Sequence, residues 1–135
     1  MAQQCRRIED GQPIEMFGIV RRLPMTINLV AGGLDVYELL EHAHDETITS
    51  FFGLVERKLE ITFEQFFMGC AEPAQLTKGR FGSIGWHRRV IGFVRRDGGL
   101  WTLRREEWSH FESDAPGVVH RERNPGDLVL APVFQ

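Results

Sequence analysis

Lysine is scarce in this chain: 2 lysines stand beside 14 arginines in 135 residues. Only two cysteines are present, Cys5 and Cys70, so no disulfide framework is expected. No run approaches the ~20 apolar residues that a membrane-spanning helix requires, and no apolar N-terminal stretch resembles a signal peptide. The expected location is therefore cytoplasmic or within an assembled particle, not secreted, with no membrane partner. Internal repeats and low-complexity stretches are lacking too. The length fits one domain over 1–135, with residues 1–13 as a polar N-terminal arm.

The charge that is present is segregated. Residues 1–77 carry 6 basic and 12 acidic groups, residues 78–105 carry 8 and 1, and residues 106–135 carry 2 and 6. A basic block thus lies between two acidic ones, although the net charge is only −3. Folding could neutralise that block internally, or leave a positive surface for an acidic partner. Arginine forks suit carboxylates and phosphates alike.

Read for elements, "IEMFGIVRRL" (Ile14–Leu23) is β-leaning, Pro24 interrupts it, and Met25–Val30 alternates as a strand. The segment "AGGLDVYELLEHAHDE" predicts a helix over about 35–45. Asp35 and Glu38 fit a capping box, while Val36, Leu39, Leu40 and Ala43 fall on one face. Ile48–Glu56 and Lys58–Glu64 read as a strand hairpin, and Gln65–Cys70 as a second, short helix. Residues 111–126 read as loop with at most a short strand. Asn124-Pro125-Gly126 is a turn leading to a last strand, Asp127–Phe134. Strands follow strands, so the fold class is α+β with a mostly antiparallel sheet. A ferredoxin-like β-α-β-β-α-β threading of Met25–Phe111 is a variant.

The stretch from Trp86 to Trp108, "WHRRVIGFVRRDGGLWTLRREEW", predicts a hairpin around a type I′ turn at Asp97-Gly98. Its register pairs Arg96 with Gly99, Val94 with Trp101, Gly92 with Leu103 and Val90 with Arg105. Arg89 then faces Glu106, and Arg88 faces Glu107. Val90, Gly92, Val94, Trp101 and Leu103 look like core. The other face joins Ile91, Phe93, Leu100 and Thr102 to arginines.

Motifs for chemistry are few. His42 and His44 are spaced i, i+2, which shares a face on a strand but not on the expected helix, and no further zinc ligands accompany them. Cys70 stands in no nucleophile motif. The glycines of "GRFGSIG" fit neither a P-loop nor a dinucleotide fingerprint. No catalytic, cofactor or metal site is expected.

Two functions follow. The first is a non-catalytic protein-interaction or assembly subunit in a homo-oligomer or larger particle. Its inter-subunit strand would carry Leu128, Leu130, Val133 and Phe134, added to a neighbour's sheet edge. The second is a single-stranded RNA-binding module. Its surface would use Lys78, Arg80, Phe93, Arg95, Arg96, Arg104 and Arg105, with stacking on the aromatic and phosphate contacts from the cations.

Overall fold

The computed structural model describes residues 15–71, 88–106, 110–115 and 122–133. In chain order its elements are β1 (Glu15–Phe17), β2 (Val20–Ile27), β3 (Leu34–Leu39), β4 (Ala43–His44), α1 (Asp45–Leu54), β5 (Glu60–Ile61) and α2 (Phe63–Ala71). There follow β6 (Val90–Arg96), β7 (Gly99–Glu106), β8 (His110–Asp114), β9 (Glu122–Arg123) and β10 (Leu128–Pro132). The fold is α+β. The main sheet runs β1-β2-β3-β10-β6-β7-β8, with β5 beside β6, while β4 and β9 form a separate two-stranded pair. Five neighbouring pairs of the main sheet are antiparallel; β10 with β6 and β5 with β6 are parallel.

The central strands β3, β10 and β6 are buried on both faces, and their alternate residues divide between two cores. Val36, Leu128, Leu130, Val90 and Val94 join Phe66 and Cys70 of α2. Tyr37, Val129, Ala131, Ile91 and Phe93 join Ile48 and Phe52 of α1. A period-two chain between two helices yields this division and needs a nearly continuous apolar run, as in "LVLA" of β10. At Gly92, a Cβ would stand 2.5 Å from Phe66 Cδ1, so the bare backbone there lets the α2 ring lie directly on the sheet.

Several sequence expectations are corrected. Residues 34–39 form strand β3, not the front of a helix over 35–45. The apolar spacing of Val36, Leu39 and Leu40 fits a helical stripe, but a strand buried on both faces carries the same residues. The ferredoxin-like threading required that helix. The actual helix, α1, begins at Asp45, where Asp45 and Glu46 complement the dipole of its first turn. It takes the segment expected to be a strand at Ile48–Glu56, because Ile48 and Phe52, one turn apart, are both buried against the sheet. The strand expected over Lys58–Glu64 is reduced to β5. Thr62 and Gln65 form a reciprocal capping box, with Thr62 N–H donating to Gln65 Oε1 and Gln65 N–H to Thr62 Oγ1, each at 3.0 Å, and α2 starts there. Pro24 does not end its strand; β2 passes through it, and the register against β3 shifts between Arg22 and Thr26. His110–Asp114, expected largely as loop, is strand β8.

The hairpin has the expected register, from Val90 opposite Arg105 to Arg96 opposite Gly99. Asp97 and Gly98 have φ of 52° and 80°, as a type I′ turn requires. Gly126, at φ 97°, follows Pro125 in the turn closed by Asp127 N–H donating to Asn124 O. Among the described residues, no helix is long and apolar enough to cross a membrane.

Candidate functional site

The expected contact residues fall into different environments. Lys78, Arg80 and Phe134 lie outside the described residues. Phe93 is only 1% exposed and packs in the α1-side core, so it offers no stacking surface. This corrects the expectation of an open hairpin face, because α1 covers that face. Arg104 and Arg105 are buried as well. Arg95 and Arg96 are exposed; Arg95 Nε donates to Glu60 at 3.2 Å, and Arg96 lies 3.5 Å from Asp97 and over the Trp101 ring.

The hairpin arginines are engaged from within. Arg104 Nε donates to Asp114 Oδ2 at 2.9 Å, and its two terminal nitrogens reach Glu106 and Glu112. Burial alone would lower the Arg104 pKa, but these three carboxylates reverse the effect and raise it. Arg123, from β9, donates to both oxygens of Asp45 at 2.7 and 2.8 Å and to Asp114 at 3.0 Å. Thr102 Oγ1 donates to Asp45 Oδ2 at 2.8 Å. Arg89 bridges Glu106 and Asp127 at 3.1 and 3.3 Å. Arg88, whose expected partner Glu107 lies outside the described residues, meets Glu38 at 2.7 Å and the Gly126 carbonyl at 2.7 Å. Acidic residues from both flanking blocks thus pair with Arg88, Arg89, Arg95 and Arg104 of the basic one. Arg105 lies on the opposite face of the hairpin, where Nη2 donates to the Arg88 carbonyl at 3.1 Å and burial lowers its pKa. The nearby Cys70 thiol is pushed up to about 12 by its own burial, so it is no thiolate nucleophile at neutral pH.

The expected inter-subunit strand is also corrected. β10 is hydrogen-bonded to β3 on one side and β6 on the other, and Leu128 and Leu130 are fully buried. Val133 is half-buried beside Gly33. Over Leu128 and Val129 both edges are occupied, so that part of the strand cannot extend a neighbour's sheet.

A different surface collects exposed apolar groups. Phe67 of α2 is 42% exposed and Phe111 of β8 is 41% exposed. The Phe63 and Phe67 rings stack at 6.3 Å, and Phe111 meets Phe67 edge-on at 5.2 Å. Phe66 anchors the group by contacting both neighbours while being fully buried. These rings and Leu103 enclose a shallow cavity of about 200 Å³, with Arg96, Glu112 and Ser113 at its rim. Edge-to-face ring pairs of this kind are each worth about 0.5–1.5 kcal/mol beyond their burial. The sequence carried a readable sign of it. "FEQFFMGCA" has more large apolar residues than one buried helix face can absorb.

No known protein family, curated protein or solved structure matches this chain.

Proposed function

We propose that this protein is a non-catalytic contact subunit that associates with a second copy of itself through the aromatic surface of α2 and β8. The observation that carries this reading is the edge-on contact of Phe67 with Phe111, two large aromatic side chains exposed side by side on one patch. Fully burying one such side chain is worth roughly 1.5–3 kcal/mol, and contiguous exposed aromatics mark contact surfaces. The rim carries both charge signs, Arg96 and Glu112, which a two-fold contact can set against each other. Among the described residues, strand β8 ends the main sheet on this side, which puts the patch near an edge where another chain can approach.

Native mass measurement over a range of protein concentrations tests this. The parent should assemble, and the Phe67→Ser and Phe111→Ser variants should shift to monomer while keeping the parent's circular dichroism. A parent that is monomeric throughout overturns the reading. A mass that falls on nuclease treatment would instead favour the RNA-binding alternative.

A further inference from the structure

A larger cavity lies elsewhere, and the contact function does not use it. It measures about 610 Å³ and is lined by Gly32 and Gly33, by Glu56, Arg57 and Lys58, by Gln65 of α2, and by Pro132 and Val133. This size suits a small molecule. Four separate segments build it, and it shares no lining residue with the aromatic cavity.

Its walls are fixed by unusual backbone. Helix α1 ends in a Schellman motif, in which Arg57 N–H donates to Phe52 O at 3.0 Å and Glu56 N–H to Gly53 O at 3.1 Å. That motif places the residue at position 56 in the left-handed region, normally a glycine position, yet Glu56 occupies it at φ 58°. The conformation turns the chain so that Glu56, Arg57 and Lys58 all line the cavity. Such local strain is commonly kept where a site needs it. Opposite, Gly32 has φ 124°, and a Cβ there would stand 2.8 Å from Gln65 Nε2. Gln65 Nε2 donates to the carbonyls of Ala31 and Gly32 at 3.4 and 3.3 Å, which ties the glycine turn to the start of α2. Arg57 Nη1 lies 3.4 Å from Tyr37 Oη, holding the guanidinium against the sheet.

The chemistry of the lining selects a ligand class. Two cations outnumber one carboxylate in a protein of net charge −3. An arginine fork and an ammonium recognise carboxylate or phosphate oxygens. Bare glycine backbone permits close approach, and Pro132 and Val133 supply an apolar wall. From this geometry we infer that the cavity is a binding site for a small organic anion, a carboxylate or phosphate monoester on an apolar body. Its head group would lie between Arg57 and Lys58 and its body against Pro132 and Val133.

Amide chemical-shift titrations of the full chain test it with four probes: phenyl phosphate, benzoate, inorganic phosphate and benzylamine. Phenyl phosphate, benzoate or both should give saturable shifts at Gly32, Gly33, Arg57 and Lys58. The tighter of the two identifies the preferred head group. Inorganic phosphate should bind more weakly than phenyl phosphate, lacking the apolar body. Lys58→Gln and Arg57→Gln should each weaken binding by about tenfold or more. Lys58 is exposed, so its variant keeps the test valid should Arg57→Gln fail to fold. No saturation with either aromatic anion, equal shifts from benzylamine, or undiminished binding in Lys58→Gln would each overturn the inference.

Discussion

Arg123 and Asp45, 78 positions apart, meet in a two-pronged ion pair with nitrogen–oxygen distances of 2.7 and 2.8 Å. The pairing of β4 with β9 brings them together, setting Ala43 opposite Arg123 and His44 opposite Glu122. Asp45 opens α1, so the pair fastens that helix to the end of the sheet where Arg104 and Asp114 lie.

Breaking this pair should be costly. Arg123 is almost wholly buried, and Asp45→Ala would take away its two-pronged partner while the single contact to Asp114 stays. Removing one member of a buried pair costs about 3–5 kcal/mol. Urea unfolding should show that loss for Asp45→Ala. The double variant Asp45→Leu with Arg123→Met should recover most of it, because the buried charge that remains, Asp114, still pairs with Arg104. A single variant as stable as the parent would show that water reaches the pair.

Asp127 provides a pH signature. Burial raises its pKa above 3.8, and the Asn124 N–H and Arg89 only partly oppose the rise. The folded state therefore holds this proton more tightly than the unfolded chain does. Through the window just above pH 3.8, the folded state binds more protons, so the contribution of Asp127 to stability falls as pH rises. Subtracting the stability–pH curve of Asp127→Asn from that of the parent should isolate this downward slope. A difference that rises with pH over the same window would mean that Arg89 dominates instead.

How far these features were legible in sequence differs from element to element. The Asp97-Gly98 hairpin was readable to the residue, because a two-residue turn fixes the register of everything it joins. The pairing of Arg89 with Glu106 followed directly. Strand β3 was not readable, since Asp35 and Glu38 imitate a helix cap and a doubly buried strand lacks polar alternation. Instead, Asp35 lies in the sheet beside Thr26 and Arg22. Helix α1 contains Thr47, Ile48 and Thr49, whose local preference is for strand, and packing of Ile48 and Phe52 overrides it. The parallel contact of β10 with β6 depends on residues far apart in the chain, so no local pattern reports it. The capping box at Thr62–Gln65 was legible and was absorbed into an expected strand, and the aromatic surface of α2 was missed with it.

Three glycine-to-alanine changes should separate three physical effects. Gly53 lies in α1 with open space around a Cβ, so Gly53→Ala should stabilise by about 0.5–1 kcal/mol. Gly98 also has open space, but its φ of +80° should make Gly98→Ala cost about 1–2 kcal/mol. Gly92 lies in a strand against Phe66, where overpacking should cost roughly 1–3 kcal/mol. Thermal unfolding of the three variants checks the order, and a gain at Gly92 would show that Phe66 can withdraw freely.

The same reasoning makes Glu56 a test of stored strain. Its left-handed backbone costs about 1–2 kcal/mol for a residue with a Cβ. Glycine removes that cost and gives back about 0.5–1 kcal/mol through the greater freedom of the unfolded chain. Glu56→Gly should therefore stabilise by roughly 0.5–1 kcal/mol, while Glu56→Ala, which keeps the Cβ, should gain nothing. Chemical denaturation of both variants is the measurement, and the difference between them isolates the backbone. If both variants lose stability equally, the Glu56 carboxylate makes a stabilising interaction that outweighs the backbone strain. If only the glycine variant gains, the chain retains a removable strain beside the cavity that Arg57 and Lys58 line. That outcome is expected where the loop's conformation is kept for what it positions.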